Sequence, residues 1–338
     1  MKQQTKQLPQ GWKEENCAEV EIFFDEIEPE KECNYLILGA LFMHSQDKAK
    51  VIETLLNLRC QNSKKESWDS EYFLCKNKDN CKELWHNLNN VEVHFNEIRE
   101  GRSSKSQIEI SKGWLNFFIN QNQFHASILS IDLSKLDTSF FGDRSVNVNI
   151  YNKFFRTLLN YGLKCFFVNY NKINIKNIFY DKKEELERHS FFNNFNFDKL
   201  VYETEDNITL LGKIIFIDSD HKIEKIHRQE SHLIQMTDLI LGVVRQNIFY
   251  ASKDRLKCEV SRILRPQLNK LKNKYWSLKY FKISFFPKKE IKSVLDLQNN
   301  QTYERHDEFY SLGALKLKMP AQETNLGKWF QNDTTNTK

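Results

Sequence analysis

Apolar and polar residues alternate near the start of the chain in a pattern that predicts two strands. Residues 18–26 (AEVEIFFDE) alternate weakly and end in two acids, and a second apolar run, NYLILGALFM at 34–43, follows the turn-like segment IEPEKE. Apolar runs of this length that are bounded by turn residues are typical of β-strands. We therefore expect an antiparallel hairpin at the start of the fold.

Helical and extended patterns alternate along the rest of the chain. A period of 3.6 residues predicts helices at VIETLLNL, at SQIEISKGWLNFFINQ and at 147–161, the last ending near Gly162, and the charged segment KKEELERHSFF also favours a helix. The extended runs are VEVHFNEI (91–98), FHASILSIDL, KINIKNIFYD, KIIFIDSD (213–220) and LKYFKISFF. Strands that alternate with helices after an initial run of strands predict an α/β fold, a mixed sheet flanked by helices.

One helical segment, SHLIQMTDLILGVVRQ at 231–246, is almost uniformly apolar yet contains a carboxylate, Asp238. Its polar and small residues share one strip of the helix, with Gln235, Asp238, Gly242 and Gln246 aligned. A glycine within a helix costs about 1 kcal/mol relative to alanine, so something is expected to approach the helix closely at Gly242. Asp238 either faces a functional site or is solvated or paired with Arg245, and this helix alone does not decide.

Length and composition indicate a folded cytoplasmic protein. The chain has 338 residues, of which 40% are hydrophobic and 26 are phenylalanine, enough for a sizeable core. The N-terminus has no apolar signal core, and the longest apolar runs, such as LILGALFM, are too short to span a membrane. Seven scattered cysteines suit a reducing compartment, so we expect no membrane association and no disulfides.

Positive charge is concentrated near the C-terminus. The whole chain has a formal charge of +5, whereas residues 253–289 contain twelve Lys or Arg against two acids, interleaved with aromatic residues. Basic and aromatic residues together favour contact with a nucleic acid, although a charged helix is more often only a solvated surface. The candidate nucleic-acid-binding residues are Lys270, Lys272, Lys274, Trp276 and Lys279.

These patterns suggest four regions. We expect a polar leader at 1–17, a core at 18–250 that carries a helical insertion or lid at 45–90, and a basic C-terminal extension at 251–338 with a loose tail from about 320. The chain lacks a glycine-rich phosphate loop and a G-x-S-x-G motif, so neither nucleotide-triphosphate hydrolysis nor serine hydrolase chemistry is favoured.

Four acids lie at the ends of predicted elements: Asp25, Glu97, Asp181 and Asp238. A carboxylate among apolar neighbours, as in IFFDE or NIFYD, is costly to bury unless it is paired or binds a cation. Ligands that are all oxygen favour hard ions such as Mg²⁺ or Mn²⁺. Two such ions about 3.5 to 4 Å apart would activate water and stabilise the leaving oxygen in phosphodiester cleavage.

Two of these acids have alternative roles that the sequence leaves open. Asp25 could be a solvated acid at a strand end with Glu26 as the true ligand, and Asp181 could cap the helix that begins at Lys182. Asp218 could replace a missing ligand, although its setting also suits a structural Asp-Ser turn.

The segment around Glu97 is equally open. Glu97 could pair with Arg99 or Arg102 in the following loop. Four residues of this region could in principle bind zinc: Cys75, Cys81, His86 and His94. The spacing of these four residues fits no usual zinc finger, so oxygen ligation of a hard ion remains the stronger hypothesis.

The segments IFFDEIE, HFNEIREG, NIFYDKKEE and IIFIDSD followed by SHLIQMTDLILG resemble the domain of unknown function 3800 family, which is similar to RNase H-like nucleases. The resemblance spans roughly residues 20–247 and is most specific from Gln235 to Gly242. The chain departs from the family pattern at Ile27, Arg99, Met236 and Thr237, whereas all four carboxylates are present.

The resemblance implies an RNase H-like α/β core in which Asp25, Glu97, Asp181 and Asp238 are the catalytic and metal ligands. It makes Asp238 a metal-facing carboxylate, Gln235 a positioning group and Gly242 the clearance beside the site. Two further residues are placed next to the site, Glu26 and His232, the latter being also compatible with an ordinary buried histidine.

The leading hypothesis is therefore a nuclease that depends on Mg²⁺ or Mn²⁺ and cleaves DNA or RNA. The resemblance also suggests a role in antiviral defence, with a protein partner from a defence or mobile-element locus. The alternative is a non-catalytic nucleic-acid-binding or scaffold subunit that acts through a partner, and a third possibility is a phosphatase of small esters. An intact set of carboxylates favours an enzyme, and the basic aromatic segment favours a polymeric substrate.

Overall fold

A seven-stranded mixed sheet forms the centre of the protein. The computed structural model describes residues 16–29, 34–59, 68–69, 74–75, 91–141, 146–182, 207–249, 252–273 and 278–287. The strands of the sheet are β1 (Cys17–Ile27), β2 (Tyr35–His44), β3 (Phe124–Asp132), β4 (Lys172–Asp181), β5 (Ile208–Leu210), β6 (Ile214–Ile217) and β7 (Phe281–Phe286). Their order is β5-β4-β1-β2-β3-β7, and β6 also pairs with β4. The predicted α/β fold with a mixed sheet is confirmed.

The first three strands form an antiparallel meander. β1 pairs with β2 so that Asp25 lies opposite Gly39, and β2 pairs with β3. The expected hairpin of the first two strands is therefore confirmed, as is the strand at 124–132. A separate pair of two-residue strands, Trp68–Asp69 and Leu74–Cys75, is the only described structure between residues 60 and 90.

The remaining strands add to both edges of the meander in the parallel direction. β4 runs parallel to β1 with Phe24 opposite Tyr180, and β5 and β6 run parallel to β4. β7 runs parallel to β3 at the other edge. Parallel strands end at the same side of a sheet. The acids near the C-terminal ends of β1 and β4, Asp25 and Asp181, therefore lie at the same end of the sheet.

Six described α-helices accompany the sheet: α1 (Lys48–Asn57), α2 (Lys105–Asn120), α3 (Val146–Phe166), α4 (Arg228–Phe249), α5 (Arg255–Arg262) and α6 (Arg265–Asn273). The helix α3 packs on one face of the sheet, which we call the α3 face, and α4 packs on the other, the α4 face. A separate hydrophobic cluster fills each face, so the sheet is covered on both sides.

Two predicted element bounds are wrong for identifiable reasons. The helix α3 does not end near Gly162 but continues to Phe166, because Gly162 leaves room for the ring of Phe42 instead of ending the helix. The segment 91–98 is not a strand; it contains a 3₁₀-helix at Phe95–Glu97, and the backbone N–H groups of Val93 and Phe95 donate to side chains of α4.

The segments expected as an insertion and as a C-terminal extension contribute to the core where they are described. Val51 and Leu55 of α1 are buried beneath α4, and α5 packs on α4. The strand β7 completes the sheet next to β3. The leader at 1–15, most of the segment 60–90, the charged helix expected at 182–192 beyond Lys182, and the tail lie outside the described residues.

No helix within the described ranges is both long enough and apolar enough to cross a membrane.

Candidate functional site

Asp25 and Glu26 are adjacent on β1 and lie on opposite faces of the sheet. Phe23 belongs to the hydrophobic cluster of the α4 face and Phe24 to that of the α3 face, so the alternation of the strand directs Asp25 toward α4 and Glu26 toward α3. Both side chains are buried, with exposures of 5% and 6%. The two candidate acids of the IFFDE segment therefore have separate surroundings.

On the α3 face, Glu26 forms a cluster with two tyrosines. Its Oε2 accepts hydrogen bonds from the hydroxyl groups of Tyr151 and Tyr180, which also contact each other. Burial, followed by the charge of Glu26, raises the pKa of both tyrosines well above the usual value. The tyrosines therefore remain protonated donors, and Glu26 is enclosed in a structural network.

On the α4 face, Asp25 and Asp181 stand at the ends of neighbouring parallel strands. The register pairs Phe24 with Tyr180, so the next residue of each strand is one of these two acids. Phe179 belongs to the same cluster as Phe23, so Asp181 is directed toward α4 like Asp25. The sheet thus brings two acids that are 156 positions apart, from 25 to 181, to one edge and one face.

The helix α4 brings a third acid, Asp238, to this edge. Thr237 Oγ1 lies 3.5 Å from the carbonyl oxygen of Phe23 on β1. Leu241, one turn after Asp238, lies against Gly39, where an added Cβ would come within 2.6 Å of the leucine side chain. Since Gly39 is paired with Asp25, α4 crosses the sheet beside the end of β1.

The close approach that the sequence predicted at Gly242 is made by Phe95. A Cβ on Gly242 would lie 2.2 Å from Cγ of Phe95. The backbone N–H of Phe95 donates to Asp238 Oδ2 at 2.7 Å, so the same contact fixes the carboxylate. Gly242 therefore provides clearance for a phenylalanine that orients Asp238.

His94 is a residue of the site that the sequence interpretation did not assign to it. Its Nδ1 accepts a hydrogen bond from the backbone N–H of Asn96 at 3.2 Å, so Nε2 carries the proton in the neutral ring. Nε2 lies 3.8 Å from Asp238 Oδ1, and the charge of Asp238 raises the pKa of His94 although burial lowers it. Three other carboxylates raise it further: Glu92, Glu97 and Asp181.

Glu97 is exposed, in the 3₁₀-helix that follows His94. Gln107 Nε2 lies 3.5 Å from its Oε2, and Ser103 donates to its backbone carbonyl. The alternative pairing of Glu97 is not seen in the described part of the chain, where it forms no ion pair with Arg99 or Arg102. Glu97 is therefore near the other carboxylates electrostatically but is not buried with them.

Gln235 joins three segments in the protein interior and is 1% exposed. Its Oε1 accepts hydrogen bonds from Arg59 and from the backbone N–H of Val93, and its Nε2 donates to the carbonyl of Ser219 and contacts His221 Nδ1. This network holds the segment that carries His94 and Phe95 against α4. Gln235 thus positions the site from behind it and does not line a cavity beside Asp238.

His232 belongs to the same buried network. Its Nδ1 lies 3.1 Å from Arg59, and its ring is 4.6 Å from that of His221. Burial, and then the charge of Arg59, lowers the pKa of His232 well below its usual value and that of His221 to about 2. Both rings are therefore neutral at physiological pH.

Arg59 gives this network a buried charge. It is completely buried, its guanidinium lies 5.0 Å from the centre of the Trp114 ring, and it donates to the carbonyl of Val91. Burial lowers its pKa to about 9, so it stays charged at neutral pH, helped by the charges of Glu92 and Asp220. The sequence did not predict this role of Arg59, because a single buried arginine produces no periodic pattern.

The structure bears on the alternative role of Asp218 but not on that of Asp181 as a helix cap. Asp218 Oδ1 accepts from the backbone N–H of Asp220 at 2.8 Å, which is the structural turn considered for it. Lys182 donates its backbone N–H to Ile217 across the sheet. The helix that Asp181 could cap lies outside the described residues.

A cavity of about 350 Å³ opens beside Asp238. Its wall combines Asp238 and Gly242 of α4 with Arg245, Arg99 and Lys257. A second depression, of about 450 Å³, is lined by His94, Glu97 and neighbouring polar residues. Two of the candidate acids, Asp238 and Glu97, therefore each line a space that a ligand could enter, and neither space was predictable from residue spacing.

The residues expected to bind nucleic acid are partly described. Lys270 on α6 and Lys279 before β7 are exposed. Lys272 lies on α6, and its side chain is not described; Lys274 and Trp276 lie outside the described residues. The structure therefore places two exposed cations in this segment without testing their role.

The donor chemistry of the edge fits a hard cation. Asp25, Asp181 and Asp238 offer carboxylate oxygens from three elements on one face, and the charges of Asp181 and Asp238 also act on His94. Within the described ranges, no three histidine, cysteine, aspartate or glutamate side chains stand close enough to hold one ion as they are placed. A cation would therefore have to draw these carboxylates together.

Comparison of the sequence with models of known protein families gives no match, and comparison with curated proteins gives none either.

Proposed function

We propose that the protein is a divalent-metal-dependent nuclease with an RNase H-like core that hydrolyses phosphodiester bonds of DNA or RNA. The observation that carries the proposal is that Asp25 and Asp181 lie at the ends of two parallel strands, on the face of the sheet that the helix with Asp238 covers. A mixed sheet with an antiparallel meander and parallel outer strands is compatible with such a core. Carboxylates as buried as Asp25 and Asp238 cost stability unless they are paired or bind a cation, so they are candidates for cation binding.

Each residue of the site would have a separate role. Asp25, Asp181 and Asp238, with Glu97 at the rim, would hold Mg²⁺ or Mn²⁺, and Phe95 would keep Asp238 oriented through its backbone N–H. A bound ion would supply an activated water and offset the charge of the phosphate. Gln235 and Arg59 would hold the His94–Phe95 segment in place against α4.

The first test uses end-labelled single-stranded DNA, duplex DNA, single-stranded RNA and RNA–DNA hybrid, each with Mg²⁺, Mn²⁺ or EDTA. The wild-type chain is compared with Asp238→Asn, whose amide oxygen can still accept the Phe95 N–H. Glu19→Gln is a matched control, since Glu19 is an exposed acid at the opposite end of β1, paired with Lys176. We expect cutting that requires metal, survives Glu19→Gln and is lost in Asp238→Asn.

The opposite result would favour the alternative function. If no substrate is cut, and both wild type and Asp238→Asn bind nucleic acid with strong salt dependence, the protein is better described as a binding subunit that acts through a partner. The same proposal includes a role in defence against foreign nucleic acid, in the cytoplasm and together with a partner protein. Experiments in cells would test this role.

A further inference from the structure

Among the described residues that line the cavity beside Asp238, cations outnumber carboxylates. Three cationic side chains line it, Arg99, Arg245 and Lys257, against two carboxylates, Asp238 and Asp254. Arg245 and Lys257 are mostly buried, with exposures of 7% each, whereas Arg99 is exposed at the rim. The cations come from three segments: the loop after the 3₁₀-helix, α4 and α5.

The two carboxylates of the wall are largely committed to backbone donors. Asp254 caps α5, where its Oδ1 accepts from Leu256 and Lys257, and its Oδ2 accepts from the backbone N–H of Glu100. Asp238 Oδ2 accepts from Phe95. Because these N–H groups already solvate the carboxylate charge, the cavity interior is more favourable for an anion than the residue count suggests.

The lysine is held at the cavity by packing. Lys257 Nζ lies 5.3 Å from the centre of the Phe95 ring, the ring that fills the space left by Gly242. A cation over an aromatic face is held in a defined direction. The same phenylalanine therefore orients Asp238 through its backbone and Lys257 through its ring.

We propose that this cavity is a phosphate subsite in which Lys257, Arg245 and Arg99 bind one phosphate group of a nucleic acid next to the carboxylate edge. Cations and an adjoining group of acids suit a substrate that presents a phosphate to the cations while the neighbouring scissile phosphate faces the acids. The proposal rests on the proposed function for the identity of the ligand. Its chemistry is shared by a terminal phosphate and by an internal phosphodiester, which the test separates.

The experiment measures binding in EDTA, so that it does not depend on cutting. Fluorescence anisotropy compares a labelled single-stranded oligonucleotide carrying a 5′-phosphate, a 3′-phosphate or neither, and inorganic phosphate is the competitor. The variants are Lys257→Met and the exposed Arg99→Met, with Lys257→Arg as the charge-retaining variant. Lys164→Met, an exposed lysine of α3 on the other face of the sheet, is the matched control. Thermal unfolding checks that each variant is folded.

We expect Lys257→Met and Arg99→Met each to weaken binding about tenfold or more, the usual loss for a charge-assisted hydrogen bond. Lys257→Arg should restore most of the affinity, and inorganic phosphate should compete with wild type more effectively than with Lys257→Met. A Lys257-dependent preference for one phosphorylated end would identify a terminal phosphate, and equal loss with all three oligonucleotides would identify an internal one.

The proposal is overturned if folded Lys257→Met and Arg99→Met bind like the Lys164→Met control, or if inorganic phosphate does not compete with wild type. If wild type does not cut but its binding still depends on Lys257 and Arg99, the nuclease proposal is contradicted and the phosphate subsite is retained. If wild type cuts and both variants bind as tightly as wild type, the phosphate subsite is contradicted and the nuclease proposal is retained.

Discussion

The two faces of the sheet bury neighbouring acids of β1 in different ways. On the α3 face, Glu26 is enclosed by the hydroxyl groups of Tyr151 and Tyr180. On the α4 face, Asp25 lies near the end of β1 next to β4, and Asp238 of the covering helix lines a cavity. Burial is nearly equal at the two positions of β1, so burial alone does not distinguish a structural acid from a candidate ligand. The distinction lies in what surrounds the carboxylate and in whether a ligand can reach its neighbours.

The polar network of the α4 face should be more costly to break than that of the α3 face. Gln235→Leu would remove hydrogen bonds to Arg59, Val93 and Ser219 while leaving a buried guanidinium in place. We expect a loss of about 3 to 5 kcal/mol in the free energy of unfolding, as for other broken buried charge networks. Urea unfolding at neutral pH measures this value.

The matched variant on the α3 face is Tyr151→Phe, which removes a single hydroxyl and should cost about 1 kcal/mol. If this variant proves as destabilising as Gln235→Leu, Gln235 does not have the central role that its contacts indicate.

The adjacent acids of β1 should differ in activity. Asp25→Asn is expected to lower metal-dependent cutting by about 100-fold or more, since even groups that only support a metal ligand contribute about 10 to 100-fold. Its stability should change by less than about 1 kcal/mol, because repulsion among the acids is relieved as the ligand is lost. Glu26→Gln should keep cutting within about threefold, because it alters the closed α3 face.

Rates are measured with both variants at saturating Mg²⁺ or Mn²⁺. Equal losses of activity in the two variants would contradict the separation of the faces, and a loss in Glu26→Gln alone would make Glu26 the ligand.

Two glycines, one on each face, make room for a phenylalanine ring. Gly242→Ala would press on Phe95, and Gly162→Ala would press on Phe42, with added Cβ atoms 2.2 and 2.3 Å from ring carbons. Overpacking costs about 1 to 3 kcal/mol, and alanine returns about 1 kcal/mol of helix propensity, so each variant should lose up to about 2 kcal/mol. Only Gly242→Ala should also reduce cutting, because Phe95 orients Asp238.

The control for both substitutions is Gly113→Ala in α2, where the nearest atom to an added Cβ is 3.8 Å away. This variant should be neutral or stabilised by up to about 1 kcal/mol, as judged by urea unfolding. If Gly162→Ala cuts as slowly as Gly242→Ala, general loosening of the core limits the activity, and the orientation of Asp238 does not.

Local patterns were sufficient for most of the elements near the site. Apolar runs predicted β1, β2 and β4, including the end of β4 at Asp181, and helical periodicity predicted the core of α4. They failed where a long-range contact decides the local structure. Gly162 is read locally as the end of a helix, whereas the ring of Phe42 from β2 occupies its space and the helix continues.

The site was predictable in the same partial way. The strip of α4 with Asp238 and Gly242 indicated a close approach, but only the fold shows that Phe95 makes it. The sequence offers His94 only as a possible zinc ligand near two cysteines. In the structure, the charges that raise the pKa of His94 are those of acids on β4, on α4 and in its own segment. Arg59 and Lys257 carry no periodic signal, since their positions depend on how distant segments pack.

Neutral histidines that are buried or half-buried occur on both faces, and they predict a dependence of stability on pH. On the α3 face, burial and then the charges of His44 and Lys279 lower the pKa of His125 to about 4, where its ring stacks on Phe166 at 4.8 Å. On the α4 face, His221 has a pKa of about 2. Each should therefore take up a proton more readily in the unfolded chain than in the folded one.

The contribution of His125 can be isolated with His125→Phe, which keeps an aromatic ring against α3. Because the folded pKa is below the unfolded value of 6.5, this stabilisation is present above pH 6.5 and is lost as pH falls toward 4. Between pH 7 and 5, wild type should lose up to about 2 kcal/mol more than His125→Phe in urea unfolding. Parallel losses in the two proteins would mean that His125 is protonated in the folded state and that the acid sensitivity arises on the α4 face.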